Sequence, residues 1–370
     1  MRHHIIAAAL CIVGCAATLH ARDSTVVTAH VLLDAAYSTS LNAPPTHERA
    51  FTLQPSRNDQ LGIMQGIAGV ELRSTHVRGK VAAQTGWFAD VLWTGADTSL
   101  RWLSEAWLGV RLADGVWLDA GVYPSHIGAE SMIARDNALL SRLYASDATP
   151  YVETGVSLTW DESASTSIAL HVLNGWQRVI DNNDGIAIGT RITHRPTDAV
   201  SLTWSTFLGN EQPRGQEQQL RWYSNLWATL NVTESTTLTA IADIGAQERR
   251  STAYDIAWYL GAVAAVRVSP TLRLAARLEH MHDAYNMLFT TSSLPFVSTS
   301  ASVNLDVEII RNVLLRAEAR ILQAPYAMFP SRTGLRMQDA FATLSASYAF
   351  QLPLTAQYTG SSYQRRSSNP

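Results

Sequence analysis

Lysine and cysteine are nearly missing from this chain of 370 residues. Lys80 is its sole lysine, so arginine carries almost all of the positive charge. Both cysteines, Cys11 and Cys15, sit close to the N-terminus, and no thiol follows them. That excludes cysteine nucleophiles and thiolate zinc sites from the body of the chain. It also suits passage through an oxidising compartment, where stray thiols mispair. A formal net charge of −3 argues against a nucleic-acid surface. No apolar run beyond the N-terminal stretch approaches the roughly 20 residues of a membrane-spanning helix. Mean hydropathy lies near zero. That value fits a soluble protein and equally fits strands with one side in lipid and one in water.

The first residues read as an address. Met1 and Arg2 begin a short positive region, Ile5 to Ala17 is apolar, and Leu19-His20-Ala21 offers a small residue at a cleavage position. This is the layout of a secretory signal peptide, expected over 1–21. Ile12-Val13-Gly14-Cys15 loosely matches a lipoprotein signal, which would make Cys15 a lipidation site. The body expected from this division covers 22–350. A Ser-rich tail with Arg365 and Arg366 covers 351–370 and reads as disordered.

What the chain does have is a period of two. In Thr271 to Asp283, Leu272, Leu274, Ala276 and Leu278 share one face, and Arg273, Arg277 and Glu279 share the other. In Arg311 to Leu322, Leu315, Ala317, Ala319 and Ile321 alternate with Arg316, Glu318 and Arg320. Phe296 to Glu308 and Thr236 to Gln247 repeat the pattern. Such alternation marks strands with two unlike faces. The apolar faces are thin, rich in Ala, Val and Leu, and the strands are too many for a small filled barrel. The pattern therefore predicts an inverted partition, with apolar side chains toward lipid and polar ones toward a wet lumen. An arginine on the lipid face at mid-membrane would cost about 2–4 kcal/mol. Arg273, Arg277, Arg316 and Arg320 all lie on the polar side. A strand of about 12 residues at about 3.3 Å each, tilted near 40°, gives about 30 Å of height. The apolar band of such barrels is about 25 Å.

About sixteen strands are predicted, beginning near His30, Gln60, His76, Leu100, Gly115, Pro150, Ser165, Asp184, Ala199, Gln218, Ser235, Tyr254, Thr271, Leu294, Arg311 and Gln338. Fourteen or eighteen also fit. The breaks alternate between short and long, which is the pattern of short periplasmic turns and long outer loops. The last strand is read to Phe350, an aromatic end of the kind that barrel-assembly machinery recognises. Trp87, Trp93, Trp102, Trp117, Trp160, Trp176 and Trp222 fall near strand ends, as interfacial girdles do.

Ser125 to Thr149 breaks the period. Glu130, Met132, Ile133, Arg135, Asp136, Leu139, Leu140, Arg142 and Leu143 recur at helical spacing. A helical loop folded into the lumen would place Glu130, Arg135, Asp136 and Arg142 at a constriction, where opposed charges create a transverse field. Arg273, Arg277, Glu279, Arg316, Glu318 and Arg320 would line the pore, pairing with one another across the wall.

Five segments stand out in order along the chain: Gly121 to Glu130 (GVYPSHIGAE), Arg135-Asp136-Asn137, Pro150 to Gly155 (PYVETG), Asn174 to Gln177 (NGWQ) and Thr206 to Glu211 (TFLGNE). In these the chain resembles the second, OmpL-like family of outer-membrane β-barrel porins. The resemblance implies an all-β transmembrane barrel and a porin-like role, and supplies no catalytic residues.

The expected function is passive diffusion of small polar solutes or ions through the bacterial outer membrane, without enzyme activity or cofactor. The expected partners are outer-membrane lipid, the assembly machinery and, as is common for sixteen-stranded porins, two further copies in a homotrimer. The alternatives are a receptor or adhesin with a plugged lumen, kept open by Tyr285 to Phe289 and Pro325 to Phe329, and a barrel hydrolase. His171 and His194 have no nucleophile motif near them, so the hydrolase lacks residues. His280 and His282 share a face but give two metal ligands at most. Asp181-Asn-Asn-Asp184 lacks the spaced set that calcium needs. No metal site is therefore expected.

Overall fold

The computed structural model describes residues 25–93, 95–249, 253–289, 291 and 295–354. The leader at 1–21 and residues 355–370 of the expected tail lie outside them.

Sixteen antiparallel strands close into one barrel. In chain order they begin with β1 (Val26–Ser40), β2 (Gln60–Arg73), β3 (Val77–Thr85), β4 (Leu103–Ala113), β5 (Val116–Pro124), β6 (Val152–Asp161), β7 (Thr166–Leu173) and β8 (Ala187–Thr197). They continue with β9 (Val200–Asn210), β10 (Leu220–Asn231), β11 (Thr236–Glu248), β12 (Tyr254–Ser269), β13 (Leu272–Asp283), β14 (Phe296–Ile310) and β15 (Val313–Gln323). A two-stranded hairpin, β16 (Phe329–Ser331) and β17 (Gly334–Arg336), stands apart before β18 (Gln338–Pro353). Closure comes from β1 against β18, with Val31 opposite Phe350 and Ala35 opposite Ala346. A closed ring leaves no unpaired strand edge, which hydrocarbon could not solvate.

The two ends are unequal. Turns at 74–76, 114–115, 198–199, 270–271 and 311–312 are short. Gly115 and Asn312 take positive φ there, 72° and 70°, the left-handed backbone that tight turns use. At the other end lie eight loops, L1 (41–59), L2 (86–102), L3 (125–151), L4 (174–186), L5 (211–219), L6 (249–253), L7 (284–295) and L8 (324–337). By the rule for such barrels this is the outer end.

The faces follow the predicted parity. On β13, Leu274, Ala276 and Leu278 are exposed while Ala275, Arg277 and Glu279 are buried. On β14, Val303 and Leu305 are exposed while Ser302, Asn304 and Asp306 are buried. Apolar atoms thus cover the outside and polar atoms fill the inside, the reverse of a soluble core.

Three expectations need correction. The first strand starts before His30 and the last runs beyond Phe350. Val26 and Val27 pair with Arg73 and Leu72, and the last strand continues past Phe350 so that Pro353 lies opposite Thr28. Terminal strands persist where a neighbour accepts their hydrogen bonds, whatever their own pattern. Next, Trp87, Trp93, Trp117 and Trp176 are not girdle residues. Trp87 opens and Trp93 follows a short helix in L2, α1 (Trp87–Leu92), and Trp93 is buried and donates Nε1–H to the Leu103 carbonyl at 3.3 Å. Trp117 lies inside, beneath the Arg78 guanidinium, and Trp176 packs on Phe207 and Tyr223. Trp102, Trp160 and Trp222 are exposed on the outer side.

Last, L3 is not a helix over its length. It holds a 3-10 turn at Ala134–Asp136 and a short helix, α2 (Tyr144–Ala148). The reason lies in the wall it meets.

Candidate functional site

L3 leaves β5 at Pro124 and folds into the bore. Its entry is fixed to β6. Ser125 Oγ donates to Glu153 Oε1 at 3.0 Å, and the His126 N–H donates to Glu153 Oε2 at 3.2 Å. Ser125 Oγ also accepts the Ile127 N–H at 3.0 Å. Gly128 takes φ +103° and gives its N–H to Asn225 Oδ1 at 3.2 Å. The loop then crosses to β13, β14, β15 and β18.

There its backbone polar groups are met by wall side chains. Arg316 donates to the carbonyls of Ala134 at 2.5 Å and Asn137 at 3.0 Å, and Arg273 donates to Asn137 at 2.9 Å. Arg277 takes the Ser141 carbonyl at 2.9 Å, and Arg320 takes that of Arg142 at 2.9 Å. The wall carboxylates accept the N–H groups. Glu318 receives Ser141 N–H and Oγ–H, each at 2.5 Å, and Glu279 receives the Tyr144 N–H at 2.8 Å. A buried backbone group needs one partner, and these groups find theirs in the wall rather than four residues away. The apolar period of Leu139, Leu140 and Leu143 serves the seat against the wall, where all three are buried.

The wall charges also pair among themselves. Asp306 lies 2.5 Å from Arg273 and 2.8 Å from Arg316. Glu279 lies 3.1 Å from Arg277 and 2.7 Å from Arg320, and Glu318 lies 3.5 Å from Arg277. Arg277, Glu279, Arg316, Glu318 and Arg320 are each no more than 3% exposed. They face inward, as predicted, but L3 covers them, so they do not line open space. Arg273 retains an exposed portion, 34% of its side chain.

The outer mouth above this half is closed as well. Phe51 of L1, Tyr144 of L3, Phe289 of L7, Phe296 of β14 and Phe329 of L8 form one aromatic cluster, with Phe289 and Phe296 stacked at 4.1 Å. Asp147 in α2 joins L1 to L3. It accepts the Tyr151 hydroxyl at 2.5 Å and the Leu53 N–H at 3.3 Å. Burial pushes its carboxyl up to about 6 against the favourable pull of Tyr151 and Arg142.

Open space remains on the other side of L3. A cavity of 550 Å³ lies between the loop and the walls, lined by Glu71, Arg73, Lys80, Glu105 and Trp107 on β2–β4 and by Arg191 on β8. Lys80 pairs with Glu105 at 2.5 Å, and Arg78 grips Asp119 with two hydrogen bonds. On the loop side, Glu130, Asp136 and Arg142 border this cavity. Asp136 is exposed. Glu130 spends an oxygen on the Leu143 N–H at 2.9 Å, and Arg142 lies 4.5 Å over the Tyr151 ring and bonds the Ser131 carbonyl. Arg135 turns to the wall and donates to the Ser347 carbonyl at 2.8 Å. The four residues named from the sequence are thus divided. Asp136 faces the opening, Glu130 and Arg142 hold the loop together at its border, and Arg135 anchors it. The sequence reading missed Glu71, Lys80 and Glu105. Lys80 carried a signal, being the single lysine, but its face had no loop to set it against.

His280 and His282 face outward and pack on Trp258. Three other residues meet inside. His126 Nδ1 lies 2.8 Å from Glu153 Oε2, and the His171 ring stacks on His126 at 4.3 Å.

The family model described as "Putative beta-barrel porin-2, OmpL-like" matches residues 27–350. A search of curated protein sequences gives no match. Among solved structures, the outer-membrane channel DcaP of Acinetobacter baumannii superposes with a TM-score of 0.59 at 13% identity, covering 89% of this chain and 97% of that one. OmpT of Vibrio cholerae, an outer-membrane protein solved in a trimer form, gives 0.61 at 8% identity, covering 89% and 100%. An anion-selective porin from Comamonas acidovorans gives 0.59 at 10% identity, covering 88% and 100%.

Proposed function

This chain belongs to the OmpL-like beta-barrel porin-2 family, and from that premise we propose how its barrel conducts. It is an outer-membrane channel for passive diffusion of small polar solutes. The passage is the crescent beside L3, not the whole bore. The observation that carries this is the asymmetry of the lumen. Wall charges on β13–β15 are spent on the loop backbone, while the 550 Å³ cavity borders β2–β4. Asp136 on the loop and Lys80 on the wall both border the opening, and their opposite charges would set a transverse field there. A solute must exchange water for these groups as it passes, so polar solutes cross and apolar ones are rejected. The family is one of channels, and no chemical step is assigned to this chain.

Planar-bilayer recording tests this reading. Stepwise channels, with reversal potential shifted by Asp136→Asn and Lys80→Gln in opposite senses, are the expected result. A silent bilayer would favour the plugged receptor.

Two finer points belong to the same proposal. Residues 1–21 act as an export leader, which the N-terminus of the purified protein would reveal by mass spectrometry. The chain works as a homotrimer. Shallow outer-wall grooves lined by Ala264, Ala276, Ala317, Ala319 and Ala342 offer a low surface on which a second barrel could lie close. Light scattering in mild detergent should give three chains per particle, and a monomer mass would reject the trimer alone.

A further inference from the structure

We propose that His126, Glu153 and His171 bind one divalent transition-metal ion, with zinc as the reference ion, at the base of L3. The three side chains come from the start of L3, from β6 and from β7, and donor atoms drawn from them lie within 4.8 Å of one another. All three are at least 95% buried.

An ion pair explains two of the three. His126 Nδ1 meets both Glu153 oxygens, at 2.9 and 2.8 Å. It does not explain His171. That ring is buried against His126, and its Nε2 has no hydrogen-bond partner among the described residues. A buried nitrogen without a partner carries a desolvation cost of about 1–3 kcal/mol. A metal ion would remove it.

The surroundings are those of an outer shell. His126 Nε2 donates to the Thr206 carbonyl at 2.7 Å, which leaves Nδ1 as its ligating atom. A ligating histidine commonly makes such a bond, because it fixes both ring orientation and tautomer. Ser125 Oγ donates to Glu153 at 3.0 Å, and the Tyr123 hydroxyl lies 3.4 Å from His171 Nδ1. Room for the His126 ring comes from Gly189, where a Cβ would stand 2.4 Å from Nε2.

Two nitrogens and a carboxylate suit zinc, cobalt or nickel, not calcium or magnesium, which prefer all-oxygen shells. Tetrahedral bonds of about 2.0–2.2 Å put neighbouring donors about 3.4 Å apart. The set must therefore tighten, and His171, held by one long hydrogen bond, is the side chain free to move. On binding, the ion takes the place of the Nδ1 proton of His126, and that proton leaves to solvent. The site then gains one positive charge beside Arg191, whose Nη1 lies 3.4 Å from the His126 carbonyl. An anionic fourth ligand, such as hydroxide or a carboxylate in transit, would offset it. The consequence is mechanical. The ion would join the L3 entry to β6 and β7, and through Thr206 to β9.

The test uses the full chain, untagged, in detergent after treatment with a chelator. Zinc is followed by calorimetry in two buffers of different protonation enthalpy, and cobalt by its visible absorption. One ion per chain, release of about one proton near pH 7 and the intense bands of four-coordinate cobalt are expected. His171→Ala leaves the His126–Glu153 pair intact and should weaken binding by at least about 100-fold. The double variant His280→Ala, His282→Ala removes outward-facing imidazoles and should bind as the parent does. Absence of stoichiometric zinc from the parent chain, or equal binding by His171→Ala, would overturn the site.

Discussion

Replacing Glu318 by alanine should loosen L3 and open the channel. Glu318 receives two hydrogen bonds from Ser141 and stands 3.5 Å from Arg277. Hydrogen bonds to a charged group contribute about 1.5–3 kcal/mol each. Arg277 keeps Glu279 at 3.1 Å, so its charge is not left alone. The two lost bonds together therefore cost about 3–6 kcal/mol. With about 1.4 kcal/mol per power of ten, the balance between seated and released L3 moves by roughly two to four powers of ten. A loop released once in a million visits would then be released about once in a hundred to ten thousand. Release exposes the wall charges, so the conducting area grows while it lasts. Single-channel recording reads this as brief excursions to larger conductance, frequent in Glu318→Ala and rare in the parent. Glu318→Gln keeps one acceptor for the Ser141 N–H and should fall between them. Heat-modifiable migration on gels confirms that each variant forms a barrel. Folded Glu318→Ala with the conductance and noise of the parent would refute the reasoning, because the wall charges would then not be what seats the loop.

Further predictions address single residues. Lys80→Glu replaces the cation 2.5 Å from Glu105 with a like charge and should move the reversal potential toward cation preference. As Lys80 is the sole lysine, an amine-reactive reagent offers the same test without mutation. Gly189→Ala brings a methyl group against His126 and should lower stability by about 1–3 kcal/mol, read by urea unfolding in lipid vesicles. Asp147 has a folded-state pKa raised to about 6 from 3.8. A raised carboxyl favours the folded state when protonated, so its contribution improves as pH falls through about 6 and is complete below about 4. Asp147→Asn should therefore raise the melting temperature at pH 8 and lose that advantage at pH 4. An advantage equal at both pH values would count against the burial argument.

Much of the barrel was legible because a strand's period is short and its faces are opposed. Leu274 and Arg277 reveal their sides from sequence alone, since lipid and water leave no third choice. What covers a face is not written in its alternation. Arg277, Glu279, Arg316, Glu318 and Arg320 look like pore lining, and become loop anchors because L3, far away in sequence, supplies backbone groups that need partners. The same contact explains the misread helix, since Leu139, Leu140 and Leu143 carry a helical period for a segment whose carbonyls go to arginines. His126, Glu153 and His171 lie in three separate segments, and nothing in their local patterns joins them. Pairing of β5, β6 and β7 in neighbouring hairpins brings them together. The hairpin at β16 and β17 was missed inside L8, although Arg332-Thr333-Gly334 marks its turn.

The most direct test of the asymmetric lumen uses the absence of thiols after Cys15. A cysteine placed at Lys80 lies on the open side, and one placed at Ser302 lies on β14 beneath L3, where the parent side chain is buried. A charged thiol reagent added during bilayer recording should react with Lys80→Cys and step the current down, and leave Ser302→Cys unchanged. Equal reaction and equal block at both positions would mean that L3 does not divide the bore.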